Sequence, residues 1–203
     1  MRPWVIGMLQ RTAILLLPLL LATGMPVANA ADATVRFATA CARCHEGECS
    51  GRLSFSQTPD TTFTHIRQYA GPSDDAFARA LYDTLEHMKS RCAYPPIPLA
   101  PVAHPLDTAA LAAYRDDWNG AYFVPLGRQP KGTYRLTVSL ERGGELRVEI
   151  IDAFFDPVFD RCIDAADGSL SLQLVLGDSP AHYLRVRPRD AQSIRSLVFE
   201  RTD

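Results

Sequence analysis

Apolar and polar positions alternate along this chain with two different periods, and the change falls near residue 120. Asp32 to Cys44 reads as a short helix with Val35, Phe37, Ala38 and Cys41 on its buried face. A Ser-, Thr- and Gly-rich loop is expected next. Ser73-Asp74-Asp75 then supplies a capping side chain and acidic first-turn residues, and Phe77, Leu81, Leu85 and Met88 continue on one helical face. Pro95, Pro96, Pro98 and Pro101 prescribe an extended segment. Asp107 or Thr108 can cap a further helix carrying Leu111, Tyr114 and Trp118 on one side. Beyond Trp118 the period falls to 2. Tyr134, Leu136, Val138 and Leu140 alternate, Gly143-Gly144 turns the chain, and Leu146, Val148 and Ile150 alternate on the return. Leu170 to Leu176 repeats the pattern, with shorter strands expected at His182–Arg187 and Ser196–Phe199.

These patterns predict an α+β chain in two parts: a helical domain over residues 31–120, then a small antiparallel β-sandwich or barrel over 121–203. The first thirty residues stand apart. Arg2 and Arg11 are basic, Thr12 to Ala22 is almost wholly apolar, and Ala28-Asn29-Ala30 has the small-x-small form of a cleavage site. Residues 1–30 therefore read as a cleavable signal peptide. The apolar run is too short for a membrane span, so no transmembrane segment is expected in the mature chain, and a periplasmic location follows.

Composition narrows the function. Of 203 residues, 47% are hydrophobic and 22% charged, which suits a packed core. The formal net charge is -2. No basic patch stands out, so a nucleic-acid partner is not expected.

The residues with recognisable chemistry are Cys41-Ala42-Arg43-Cys44-His45. C-x-x-C-H is the attachment sequence for c-type haem. Two thiols three residues apart can form thioethers to the two vinyl groups of one porphyrin, while the adjacent His reaches the iron from the same side. Random placement of five Cys and five His yields this pattern about 0.003 times in a chain this long. A redox dithiol expects a βαβ context, which the pattern lacks, and zinc requires a second ligand pair, for which Cys49 with Cys92 is a poor candidate.

With this motif, residues 34–118 resemble a class I cytochrome c domain. Phe37 precedes Cys41 by four residues, and Leu111, Tyr114 and Trp118 stand where such domains carry an aromatic C-terminal helix face. The resemblance implies one covalent haem c, thioethers at Cys41 and Cys44, His45 as proximal iron ligand, and a distal Met. Family members usually place Pro directly after that Met; here Met88 is followed by Lys89, and Pro95-Pro96 comes later. Met88 is the only Met after Ala30. It is the expected sixth ligand, with His87 as rival, and His65 and His104 remaining open. Cys49–Cys92 is the expected disulfide, with Cys92–Cys162 as the alternative.

The expected function is exported electron transfer by a monohaem c-type cytochrome, with the β half as a docking module for a periplasmic or membrane-associated redox donor or acceptor. The alternative is a haem enzyme or ligand sensor with a labile sixth position; the carrier role, which is not enzymatic, is preferred. In the β half, Asp152, Asp156, Asp160, Asp164 and Asp167 recur without the order of a calcium loop. They read as the solvated side of a packed connection. Arg185, Arg187 and Arg189 alternate, either on a solvated sheet face or as a docking patch. His182 is expected to be partly exposed.

Overall fold

A computed structural model describes residues 27–46, 58–100, 105–190 and 192–203. The chain opens with α1 (Val27–Arg36), a π-helical turn (Phe37–Cys41) and α2 (Ala42–His45), which follow one another without a break. Next come α3 (Pro59–Ala70) and α4 (Asp75–Arg91). Then follow β1 (Leu106–Asp107), α5 (Thr108–Leu111) and a 3₁₀ turn (Ala112–Tyr114). Seven strands complete it: β2 (Tyr122–Gly127), β3 (Gly132–Leu140), β4 (Gly144–Asp152), β5 (Pro157–Ala165), β6 (Ser169–Leu176), β7 (His182–Pro188) and β8 (Ile194–Arg201).

The strands form two four-stranded antiparallel sheets, β1-β8-β3-β6 and β2-β7-β4-β5. Their facing sides enclose one core, including Leu136, Val138, Leu176 and Phe199 from the first sheet and Val124, Val148, Ile150, Leu184 and Val186 from the second. Period-2 alternation sends these residues inward from every strand.

The second sheet is covered on both faces at β2. β2 reads Tyr-Phe-Val-Pro-Leu-Gly, and all six residues are buried, the mark of a strand covered on both sides. Tyr122, Val124 and Leu126 enter the sandwich core. Phe123 points the other way, joining Ile151, Phe155 and the partly buried Tyr183 in a second apolar cluster. That cluster is completed by Val35, Phe37 and Ala38 near the motif, Phe63 and Ile66 of α3, and Leu81 and Met88 of α4.

The fold-class expectation is therefore corrected. The structure is not a helical cytochrome c-like part followed by a separate sheet part; it is mostly antiparallel β, a two-sheet sandwich with a few helices laid against one sheet. The physical cause lies in residues 106–121. Leu106–Asp107 pairs with Leu197 and Ser196 of β8 as an edge strand. Leu111 and Tyr114 bury in the sandwich core, while Trp118 is left exposed. The expected C-terminal helix stops at Tyr114 because Arg115 bridges to Tyr122 and the Asp116 N–H donates to the Ala121 carbonyl at 2.8 Å, turning the chain into β2.

Because Phe123 is fully buried between sheet and helices, Phe123→Ala is expected to cost about 3–5 kcal/mol. Denaturant unfolding measures this. A loss under about 1 kcal/mol would mean that the helices do not pack on this face.

Candidate functional site

The C-x-x-C-H segment sits where the first helical run ends, and the sheet holds it from both sides. β7 turns Leu184 and Val186 into the sandwich, so Tyr183, Arg185 and Arg187 face the helices. Arg187 Nη2 donates to the carbonyl of Thr39, two residues before Cys41. Arg185 Nη2 donates to Glu46 Oε1, the residue directly after His45. Tyr94 Oη also donates to Glu46 Oε1 and accepts from Arg185 at 2.9 Å. Burial pushes the Tyr94 phenol well above its ordinary pKa, so it stays a donor. Its ring packs against Phe123 at 4.8 Å and Tyr183 at 5.3 Å, while Phe123 and Tyr183 stack 11° from parallel.

A second network fixes the approach to the motif. Asp116, 3% exposed, accepts from Arg36 Nε, from Thr39 Oγ1 at 2.9 Å and from the Trp118 N–H at 3.1 Å. Arg36 also donates to the Ala70 carbonyl at 2.7 Å and lies over the rings of Phe77 and Trp118. The left-handed Gly71 that ends α3 admits the Trp118 ring; a Cβ there would lie 2.5 Å from it. The π-helical turn, a form often found at functional sites, contains Thr39, which both networks hold.

Cys41 is partly buried and Cys44 exposed, and three- and four-residue spacings place Cys41, Cys44 and His45 toward one helical side. Burial pushes the Cys41 thiol up to about 12, against the opposing pull of Arg36. A reactive dithiol has a lowered thiol pKa, so the site lacks that signature. The His45 ring centre lies 6.5 Å from that of Phe37 and 6.3 Å from that of His65, whose own ring is 4.7 Å from Tyr69.

Met88 is 1% exposed and packs in the helix–sheet cluster, beside the half-buried His87 in sequence. His104 lies outside the described residues, as does Cys49, and with it the Cys49–Cys92 pairing. No disulfide forms among the described residues, where Cys162 is an exposed thiol, so the alternative Cys92–Cys162 bond is corrected. Nor do the described residues hold any group of three or more His, Cys, Asp and Glu able to bind a metal. The metal-binding expectation is thus corrected as far as protein ligands among the described residues are concerned, and the cytochrome c expectation by the two-sheet fold.

Two of the five aspartates singled out in the β half, Asp152 and Asp160, have structural roles. Asp152 caps its own turn by accepting from the Phe154 and Asp156 N–H groups, and Asp160 on edge strand β5 takes a two-pronged bond from Arg147. Only Arg189, paired with Glu145, remains on a solvated surface; Arg185 is 7% exposed and Arg187 half-buried. His182 is 1% exposed rather than partly exposed, and burial lowers its pKa.

Sequence patterning missed α3, which carries His65 and lies in the expected loop. Its signals are present: Pro59 at the first helical position, Asp60 in the first turn, and Phe63, Ile66 and Ala70 at helical spacing.

No family model and no curated protein matches the sequence. Parts of the chain resemble solved structures at low similarity. One, described as "CBM4 structure and function", is 8% identical with a TM-score of 0.31, over 40% of this chain and 61% of that one. Another, a family two carbohydrate esterase from Clostridium thermocellum in complex with cellohexaose, is 16% identical with a TM-score of 0.29 and covers 40% of this chain. This chain spans a quarter of that esterase (25%). A third, the GH115 4-O-methyl-alpha-glucuronidase BtGH115A, is 10% identical with a TM-score of 0.33, over 70% of this chain and 27% of that one. Similarity this slight carries no inference about function.

Arg185 is buried with its charge matched by Glu46. Arg185→Ala is expected to destabilise the fold by about 3–5 kcal/mol, because Glu46 is left without its cation, and Arg185→Met with Glu46→Gln by much less. Thermal and denaturant melts compare them. Equal losses would show that the ion pair does not hold the segment.

Proposed function

We propose that this protein carries one covalently attached haem c and transfers electrons in the periplasm. What supports the reading is the continuous helical end Cys41-Ala42-Arg43-Cys44-His45, held against the sheet at Thr39 and Glu46. The residues fit the group. The motif side of the helix carries an exposed Cys44, a partly buried Cys41 and a partly buried His45, with the Phe37 ring as an apolar neighbour. The porphyrin supplies four of the six iron ligands, so the absence of a three-residue metal cluster among the described residues does not bear on it.

Attachment uses the two thiols without an oxidant. Cys41 and Cys44 would each hold the porphyrin by a thioether, the S–H adding across one vinyl double bond so that sulfur takes one vinyl carbon and hydrogen the other. His45 would offer the iron a ring nitrogen from the same helix end. When bound, the haem iron supplies a one-electron Fe(III)/Fe(II) couple. The chain contributes restraint, because Arg185 holds the Glu46 carboxylate and Arg187 the Thr39 carbonyl on either side of the motif. The redox partner is then a periplasmic or membrane-associated donor or acceptor. Among the described residues no helix is long and apolar enough to cross a membrane.

A spectroelectrochemical titration of the protein, exported from a host that matures c-type haem, is expected to give one reversible one-electron wave. The Cys41→Ala, Cys44→Ala double variant is expected to give none. A wild-type protein without such a wave would overturn the proposal.

A further inference from the structure

We propose that His65 is the second axial ligand, so that the iron is held between two histidines rather than between His45 and Met88. This deepens the covalent-haem reading and rests on it.

The separation of the two rings carries the inference. A metal-bound imidazole nitrogen lies about 2.0–2.1 Å from the metal and about 1.2 Å from its own ring centre, so two imidazoles trans across one metal have centres about 6.4 Å apart. The His45 and His65 centres are 6.3 Å apart. Their planes cross at 74°. Axial imidazoles each contain the iron–nitrogen axis in their plane, which leaves the angle between the planes free, so a near-perpendicular pair is allowed.

The surroundings agree. α3 buries Phe63, Ile66 and Ala70 and leaves His65 exposed at its rim. This suits a side chain that closes over a group lying between helices. Tyr69, one helical turn on, packs its ring 4.7 Å from that of His65 and restrains it. Met88 has a sufficient structural role: it is 1% exposed in the apolar cluster, on the α4 face that also buries Leu81. A filled sixth position with nitrogen on both sides lowers the potential relative to His/Met ligation. It also leaves no open site for an added ligand, as an electron carrier requires.

The test uses the exported, haem-loaded protein. Covalent haem is counted first, from the pyridine haemochrome of the denatured chain, which depends on Cys41 and Cys44 alone. The intact protein is expected to be low-spin in the ferric state, without the thioether-to-iron charge-transfer band. His65→Ala should keep the full haem count, become high-spin and gain carbon monoxide binding. His65→Met should stay low-spin with a raised potential. Met88→Leu, which conserves volume, should leave the spectrum unchanged. An unchanged spectrum in His65→Ala, or high-spin iron in Met88→Leu, would overturn the inference while leaving covalent attachment standing. A haem count of zero in the wild type would overturn the attachment reading itself, and this inference with it.

Discussion

A guanidinium on the covered face of a sheet needs a carboxylate, and in this chain the partner of Arg185 is the residue that follows His45. An unmatched charge at this depth costs several kcal/mol, so the fold and the motif are mechanically one object. Tyr94 completes the arrangement by donating to the same carboxylate from above an aromatic group that includes Phe123, Phe155 and Tyr183. Arg187 at Thr39 and the buried Asp116 with Arg36 and Thr39 fix the other side. The helices need the sheet to bury their apolar face, and the second sheet needs the helices to cover Phe123 and Ile151.

The strands that were legible are those covered on one face. β3, β4 and β6 have one inward and one outward set, so their period-2 signal is clean. β2 is buried on both sides and shows a continuous apolar run instead, which periodicity cannot distinguish from a loop or helix segment. β5 is an edge strand with most of its residues exposed, so its aspartates looked like a loop. β1 is two residues long and exists only because β8 pairs with it from about ninety residues away. That contact is non-local, and nothing in the local pattern around Leu106 signals it. Together with the burial of Leu111 and Tyr114 in the sandwich core, it ties the expected last helix to the sheets.

The site divided in the same way. Cys41, Cys44 and His45 fall within five residues, and their spacing is itself the signal. The residues that position them are distant in sequence. Arg185 and Arg187 alternate as a solvated face would, and only the placement of the helices on β7 turns that alternation into an anchor. His65 was readable as a residue but not as a neighbour of His45, because α3 was hidden in a polar stretch whose helical signals are short. Met88 attracted attention as the last Met, yet its burial is explained by the helix face it shares with Leu81.

Electron transfer by this protein requires a covalent bond between this helix end and a porphyrin. The most direct measurement is the intact mass of the exported chain after denaturation, followed by peptide mapping. The expected result is a mass increase of one haem, carried entirely on the peptide that contains Cys41 and Cys44. An exported chain with unmodified thiols at both positions would contradict it.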